Sequence, residues 1–331
     1  MEIVTTNAIL HILDTNAALP IFSQQELDLS EEAIRNFIDV HSEKLFHDRA
    51  AREGVFTDQS AISDILRNRD TSFVESSIEI ANCLYGIMKK NIDIPSSDLL
   101  IAAVEIDKVP YLSIIKLNYR EGYTHYVDSS ETGINNKIIV QKAIFASVSQ
   151  KIDEGALINL DDFSIKVLEK EYPINGEKRY YFTELFLGCN TDLSQKESLK
   201  VINTVAKQMA KKYYNDDFEK NVMVKSVIYD NLEDQGVIDV DMVAETVFRD
   251  NHEIKKEYME KVKEAGVNKT IAVAGENPEK SFSKYKIKTD NGIVINIPME
   301  VYGNKDVIDF VNNPNGTVSI IIKQVNKLTS N

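Results

Sequence analysis

Near residue 98 the hydrophobic pattern of this chain changes period, and that change restricts the folds open to it. Just before it, "SFVESSIEIANCLYGIMKK" sets Val74, Ile78, Ala81, Leu84, Tyr85 and Met88 at helical spacing. Ser72 and Glu75 stand at its start with the spacing of a capping box. Just after it, "DLLIAAVEI" and "YLSIIKLNY" are apolar runs of strand length on either side of "DKVP", and read as two paired strands. "YTHYVD" and "NKIIVQKAIF" add strands. "FSIKVLEKEY" and "RYYFTELFLG" read as two more, flanking "PINGEK", where Asn175-Gly176 signals a tight hairpin. At the N-terminus, "AILHILD" is a run suited to a buried strand. "LSEEAIRNFIDVHSEKLFHD" reads as a helix capped by Ser30, with Ile34, Phe37, Ile38, His41 and Leu45 on one face, and "TDQSAISDILRN" as a shorter one. The expectation for residues 1–191 is an α+β domain with a largely antiparallel sheet.

Residues 192–280 turn helical. "LKVINTVAKQMAKKYY" spaces Leu199, Ile202, Ala206, Met209 and Tyr213 as one buried helix face, and two further helical stretches lead to "EIKKEYMEKVKEAG", which stops at Gly266. Strands return over residues 281–331, with hairpin signals at Asn291-Gly292 and Asn315-Gly316. In this closing part Ile293, Ile295 and Ile297 alternate along one strand, as do Val318, Ile320 and Ile322. The fold class expected is therefore α+β: an antiparallel-sheet N-terminal domain, a helical middle domain and a small β-rich C-terminal part whose six alternating apolar side chains are buried.

Several chemistries lack their sequence signals. No apolar run reaches the length of a membrane span, and the first residues do not resemble a secretory signal. Cys83 and Cys189 stand far apart with no CxxC, so two free thiols in a reducing compartment are expected. His41 and His47 lie six apart, on different faces of their helix, and cannot ligate one metal together. Asp98, Glu105 and Asp107 with Lys108 suggest a nuclease strand, but Lys108 falls in the turn, three residues from Glu105 rather than two. Glycine-rich phosphate loops and nucleophile elbows are absent. No catalytic residue, metal ligand or cofactor is expected.

The net charge of −14 argues against nucleic acid at first sight. Its distribution changes the argument. Residues 1–198 carry 19 basic and 32 acidic side chains, whereas residues 199–288 carry 16 of each. A basic face is thus open to the later part. Lys196, Lys200, Lys207 and Lys211 recur at spacings of 4, 7 and 4, within a ~60° arc of a helix at about 100° per residue, with Tyr214 beside them. Lys284, Lys286 and Lys288 alternate along "KYKIK" and so share one face of a strand. Two such rows suit a phosphate backbone, where charge placement matters more than base identity.

The closing stretch "IVINIPMEVYGNKDVIDFVNNPNGTVSIIIK" resembles the C-terminal signature of a bacterial nucleoid-associated protein family, the 37-kilodalton type. Three more features are similar to that family: the "LHIL" of Leu10 to Leu13, the "THYVD" of Thr124 to Asp128, and a helix entry with Phe56, Thr57, Ser60 and Leu66. The resemblance spans essentially the whole chain. It implies a cytoplasmic, nucleoid-located DNA-binding protein with no known enzymatic step, and the function expected is non-specific or weakly specific binding to double-stranded DNA. It transfers no contact residues, so the lysine rows rest on spacing alone. Two other readings stay open. The acidic N-terminal domain would suit an adaptor that docks on a basic DNA-acting protein, and a metal-dependent nuclease would need carboxylates that meet in space. A homodimer would set two lysine rows along one duplex.

Overall fold

The computed structural model describes residues 1–68, 70–130, 133–214, 218–273, 282–302 and 304–327. The chain divides into two compact units, Met1–Ser194 and Gln195–Asn331. The class is α+β, with a large antiparallel sheet in the first unit, then helices, then C-terminal strands.

Unit 1 runs β1 (Ile3–Leu13), α1 (Glu32–His47), β2 (Arg52–Phe56), α2 (Ala61–Arg67), α3 (Phe73–Lys90), β3 (Ser97–Ile106) and β4 (Val109–Asn118). It continues with β5 (Arg120–Ser130), β6 (Gly133–Ile144), β7 (Glu154–Asn159), β8 (Ser164–Leu168), β9 (Tyr172–Ile174), β10 (Glu177–Arg179) and β11 (Cys189–Thr191). Seven strands form one antiparallel sheet in the order β1-β3-β4-β7-β8-β2-β11. Both of its faces are covered, which explains why β3 and β4 read as continuous apolar runs. Ile9, Leu99, Ile101 and Ile114 pack with Ile80 and Leu84 of α3 on one face. Leu100, Ala102, Ile115 and Leu117 pack with Ile38 and Leu45 of α1 on the other. Asp107 and Lys108, both at positive φ, form the two-residue turn between β3 and β4.

The capping box of α3 is present: Ser72 Oγ accepts from the Glu75 N–H and the Glu75 carboxylate accepts from the Ser72 N–H. Ser30 does not cap α1. Glu31 stands at that position without a side-chain cap bond, and the Ser30 N–H instead bonds the Asp28 carboxylate. His41 is buried against the edge of Phe37, and burial is the main cause lowering its pKa, while His47 is exposed.

The segment "RYYFTELFLG" is not a strand beyond Arg179. Asn175 and Gly176 do turn a hairpin at positive φ, but β9 and β10 are short, and Phe182–Leu187 is a π-helical turn ended by left-handed Gly188. The Glu169 carboxylate accepts from the N–H and Oγ1 of Thr183, holding the turn's first residues. Tyr181, Phe182, Phe186 and Leu187 then fill the core under α3. Tertiary packing overrides the strand propensity of this aromatic run.

His11 gives unit 1 a pH dependence. It is fully buried in β1, its Nδ1 accepting from the Ser23 N–H at 3.1 Å and its Nε2 lying 3.0 Å from Ser77 Oγ. Ser77 Oγ donates to the Val74 carbonyl, so Nε2–H is the donor and the ring is neutral. Burial pushes its pKa down to about 4. Above pH ~6.5 the neutral ring costs nothing relative to the unfolded chain. As pH falls from ~6.5 toward 4 the unfolded chain gains the proton first, and up to about 3 kcal/mol of stability is lost. Urea unfolding at a series of pH values should show a wild-type decline over this window that is shallower in His11→Asn.

Unit 2 contains α4 (Gln195–Tyr213), α5 (Phe218–Gln235), β12 (Val237–Asp239), α6 (Val240–Val247), α7 (His252–Glu264) and β13 (Thr270–Ala272). Two hairpins follow, β14 (Lys284–Lys288) with β15 (Val294–Pro298), and β16 (Ile308–Asn312) with β17 (Val318–Ile322). Asn251 caps α7 and Gly266 ends it at positive φ. The hairpins share a small core of Ile287, Ile297 and Ile308, with Ile295 and Ile320 packed against it. The burial expected of all six alternating side chains is not met. Ile293 precedes β15 and is exposed, as are Val318 and Ile322, because a two-stranded hairpin has too little sheet to cover a whole strand face.

Candidate nucleic-acid interface

Helix α4 is amphipathic with a clean division. Leu199, Ile202, Val205, Ala206, Met209 and Ala210 are buried, but Tyr213, expected on the same buried face, is exposed at the helix end, its hydroxyl donating to Glu257. Lys196, Lys200, Lys207 and Lys211 are exposed on the other side. From Lys196 to Lys211 the row rises about 22 Å, roughly six base-pair steps of one DNA strand. Among the described residues, none of the four is ion-paired with a carboxylate. Lys212, one residue on, differs: Glu257 of α7 holds it at 2.9 Å. The α4 row therefore keeps its positive charge while neighbouring lysines such as Lys212, Lys255 and Lys269 are neutralised by Glu257, Glu245 and Asp241.

Sequence spacing did not single out Lys225 of α5. It is half-buried, and its Nζ lies 4.6 Å from the centroid of the Tyr285 ring in β14. Burial lowers its pKa, and the charge of Lys207 lowers it further. Lys225 thus lies beside the α4 row and against the β14 hairpin, with no carboxylate ion-paired to it among the described residues. A cation held next to another cation without a counter-charge is a place where an anion gains affinity. The Tyr285 face supplies partial compensation. Nothing near Lys225 in the sequence marks this, because the arrangement depends on α4, α5 and β14 packing together.

Lys284, Lys286 and Lys288 are all exposed and alternate with half-buried Tyr285 and buried Ile287. They lie on the face of β14 away from the small core, so they form a second basic strip rather than an extension of the Lys207–Lys225 pair. Tyr214 is half-buried with its ring stacked on buried Phe248, centroids 6.4 Å apart. One face of that ring is occupied by packing. Asp98 and the acidic residues beside the β3–β4 turn lie at opposite ends of β3. Asp98 is buried and accepts from the Tyr119 hydroxyl at 2.6 Å, while Glu105 is exposed near the far end of the strand. Among the described residues no three His, Cys, Asp or Glu side chains are grouped to hold a metal ion, and no helix is long and apolar enough to cross a membrane.

The sequence model of the family described as nucleoid-associated protein YejK matches residues 9–329. The chain belongs to that family. Membership gives it a nucleoid, hence cytoplasmic, location. A comparison with curated proteins returns no match.

Proposed function

We propose that this protein binds double-stranded DNA, with little or no sequence preference and no bond-making step, through the α4 lysine row and Lys225. Lys284, Lys286 and Lys288 form a second contact strip, with Tyr214 at the end of the row. The observation that carries this reading is the row itself: four exposed lysines on one helix face of an acidic protein, with no ion-paired carboxylate among the described residues, whereas Lys212, Lys255 and Lys269 are ion-paired. The row presents charge and no base-reading geometry, which fits backbone contact rather than direct readout.

Fluorescence anisotropy with a random-sequence duplex, read across a salt series, tests it. Four to eight phosphate contacts give a slope of log K against log[salt] between about −4 and −7. Absence of salt-dependent binding even at low salt sinks the proposal. The surplus of acidic side chains in residues 1–198 favours a second reading, an adaptor whose first unit docks on a basic DNA-acting protein. It predicts that outcome together with salt-sensitive capture of a basic protein partner.

A further inference from the structure

Helix α1 covers its face of the seven-stranded sheet incompletely. Its first turn carries Ala33, whose side chain ends at Cβ and leaves a gap above the strands. The gap is a cleft of about 320 Å³ within unit 1. Leu10, Leu100 and Leu117 of β1, β3 and β4 form its floor, and Ile34, Phe37 and Phe145 its walls. Every side chain that lines it is apolar. Its size falls in the range of small-molecule sites, about 300–1,000 Å³, and walls of this kind hold water poorly and apolar ligands well.

Polar groups gather at the Phe37–Phe145 end. His41 stands one helical turn beyond Phe37, and its ring meets the Phe37 ring edge-on with centroids 4.5 Å apart. It is fully buried, and among the described residues neither Nδ1 nor Nε2 has a hydrogen-bond partner. The backbone of Ala146, next to Phe145, is near enough to favour the charged ring but completes no hydrogen bond. A buried polar group without a partner is costly, so a ligand that supplies one gains affinity. Lys44 and Arg120 both bring positive charge to this ring. Lys44 donates to the carbonyls of Val148 and Gln150, and Arg120 to the Gln150 side chain at 3.0 Å and the Lys151 carbonyl at 3.2 Å, all neutral acceptors. The Asp153 carboxylate senses Arg120, but Lys170 already pairs with it at 2.7 Å. One end of an apolar cleft thus keeps a positive field in an otherwise acidic unit.

We propose that this cleft binds an amphipathic anion, a linear acyl chain ending in a carboxylate, with the chain over the leucine floor and the carboxylate at the His41 end. A chain of about ten carbons fills the volume if each displaces the ~30 Å³ of one water. A neutral His41 offers one ring N–H to the carboxylate, and Lys44 and Arg120 supply the opposite charge. The same groups reject a cationic head. The inference does not depend on DNA binding.

Isothermal titration calorimetry of the full chain with sodium decanoate, kept below its micelle-forming range, tests it, with decanol and decyltrimethylammonium as head-group controls. Decanoate should saturate a single site, and decyltrimethylammonium should bind at least ~10-fold more weakly. Lys44→Gln/Arg120→Gln should weaken decanoate at least ~10-fold, the size of a lost hydrogen bond to a charged group, while its decanol affinity stays within about twofold of wild type, since decanol carries no charge. Ala33→Phe fills the cleft from an exposed position, so it should block both ligands while circular dichroism and thermal unfolding match the wild type. In the wild type, the ring proton resonances of His41 should move as decanoate is added. The absence of saturable decanoate binding overturns the proposal, as do His41 resonances that stay in place at saturation. Decanoate binding that a folded Ala33→Phe variant leaves intact overturns it too, as does a double variant that loses decanol as strongly as decanoate. A cleft that refuses decanoate but takes an amphipathic helical peptide overturns it as well and makes the face a protein groove.

Discussion

Reversing Lys200, Lys207 and Lys211 to glutamate should lower duplex affinity by at least ~100-fold near physiological salt. Each lysine that releases one counterion contributes about 0.9 to the salt slope, so removing three should flatten that slope by nearly 3. Reversal adds three repulsive charges to the loss. The variant should fold normally, because all three side chains are exposed and opposite the buried stripe of α4. Lys212→Glu is the matched control. Lys212 lies on the same helix but already spends its charge on Glu257, so its reversal should weaken binding far less than reversal of any one member of the row. Equal losses from Lys212→Glu and Lys207→Glu would mean that affinity follows net charge and not the row. Lys225→Gln should fall between these, since it removes a half-buried cation beside Lys207.

The row was legible before any coordinates because helical spacing fixes which side chains share a face. Its freedom from carboxylates was not, since Glu257, which neutralises Lys212, lies 45 residues further along. Lys225 was invisible for the same reason: its meaning comes from Lys207 and Tyr285, on two other elements. In unit 1, some signals confined to a few residues carried through, as in the Ser72–Glu75 box and the Asn175-Gly176 turn, although the Ser30 cap did not. Signals decided at long range did not. Strand β7 lacks alternation because both its faces are buried, and nothing in "EGALIN" alone separates a central strand from a buried helix. The π-helical turn at Phe182–Leu187 depends on Glu169, which reaches Thr183 from beyond the hairpin. Strands β5 and β6 were readable, but the exposure of β6 was not, because alternation shows that a face is apolar and not whether anything covers it.

Lys116→Met should destabilise the first unit by about 3–5 kcal/mol, the cost of leaving a buried charge without its partner. Lys116 and Glu154 sit opposite each other on β4 and β7, the side chains of both fully buried, with Nζ 3.0 Å from Oε2. Asn118 completes the arrangement, accepting from Lys116 and donating to Glu154 at 3.1 Å, while the Tyr172 hydroxyl approaches the same carboxylate at 3.4 Å. Burial lowers the lysine's pKa and the glutamate's charge opposes that shift. Methionine fills similar volume, and the loss therefore reports the orphaned carboxylate rather than a cavity. For a unit of this size each kcal/mol moves the midpoint by roughly 2–4 °C, giving an expected fall of about 6–20 °C. The double variant Lys116→Met/Glu154→Leu should recover most of that loss, because replacing both partners removes the buried charge altogether. Recovery is the decisive reading. A double variant as unstable as the single one would show that Asn118 and Tyr172, stranded without either partner, account for the cost. Lys116→Met alone within about 1 kcal/mol of wild type would show that water reaches the pair. Duplex affinity measured below the transition should stay unchanged in both variants, because the α4 row belongs to the other compact unit.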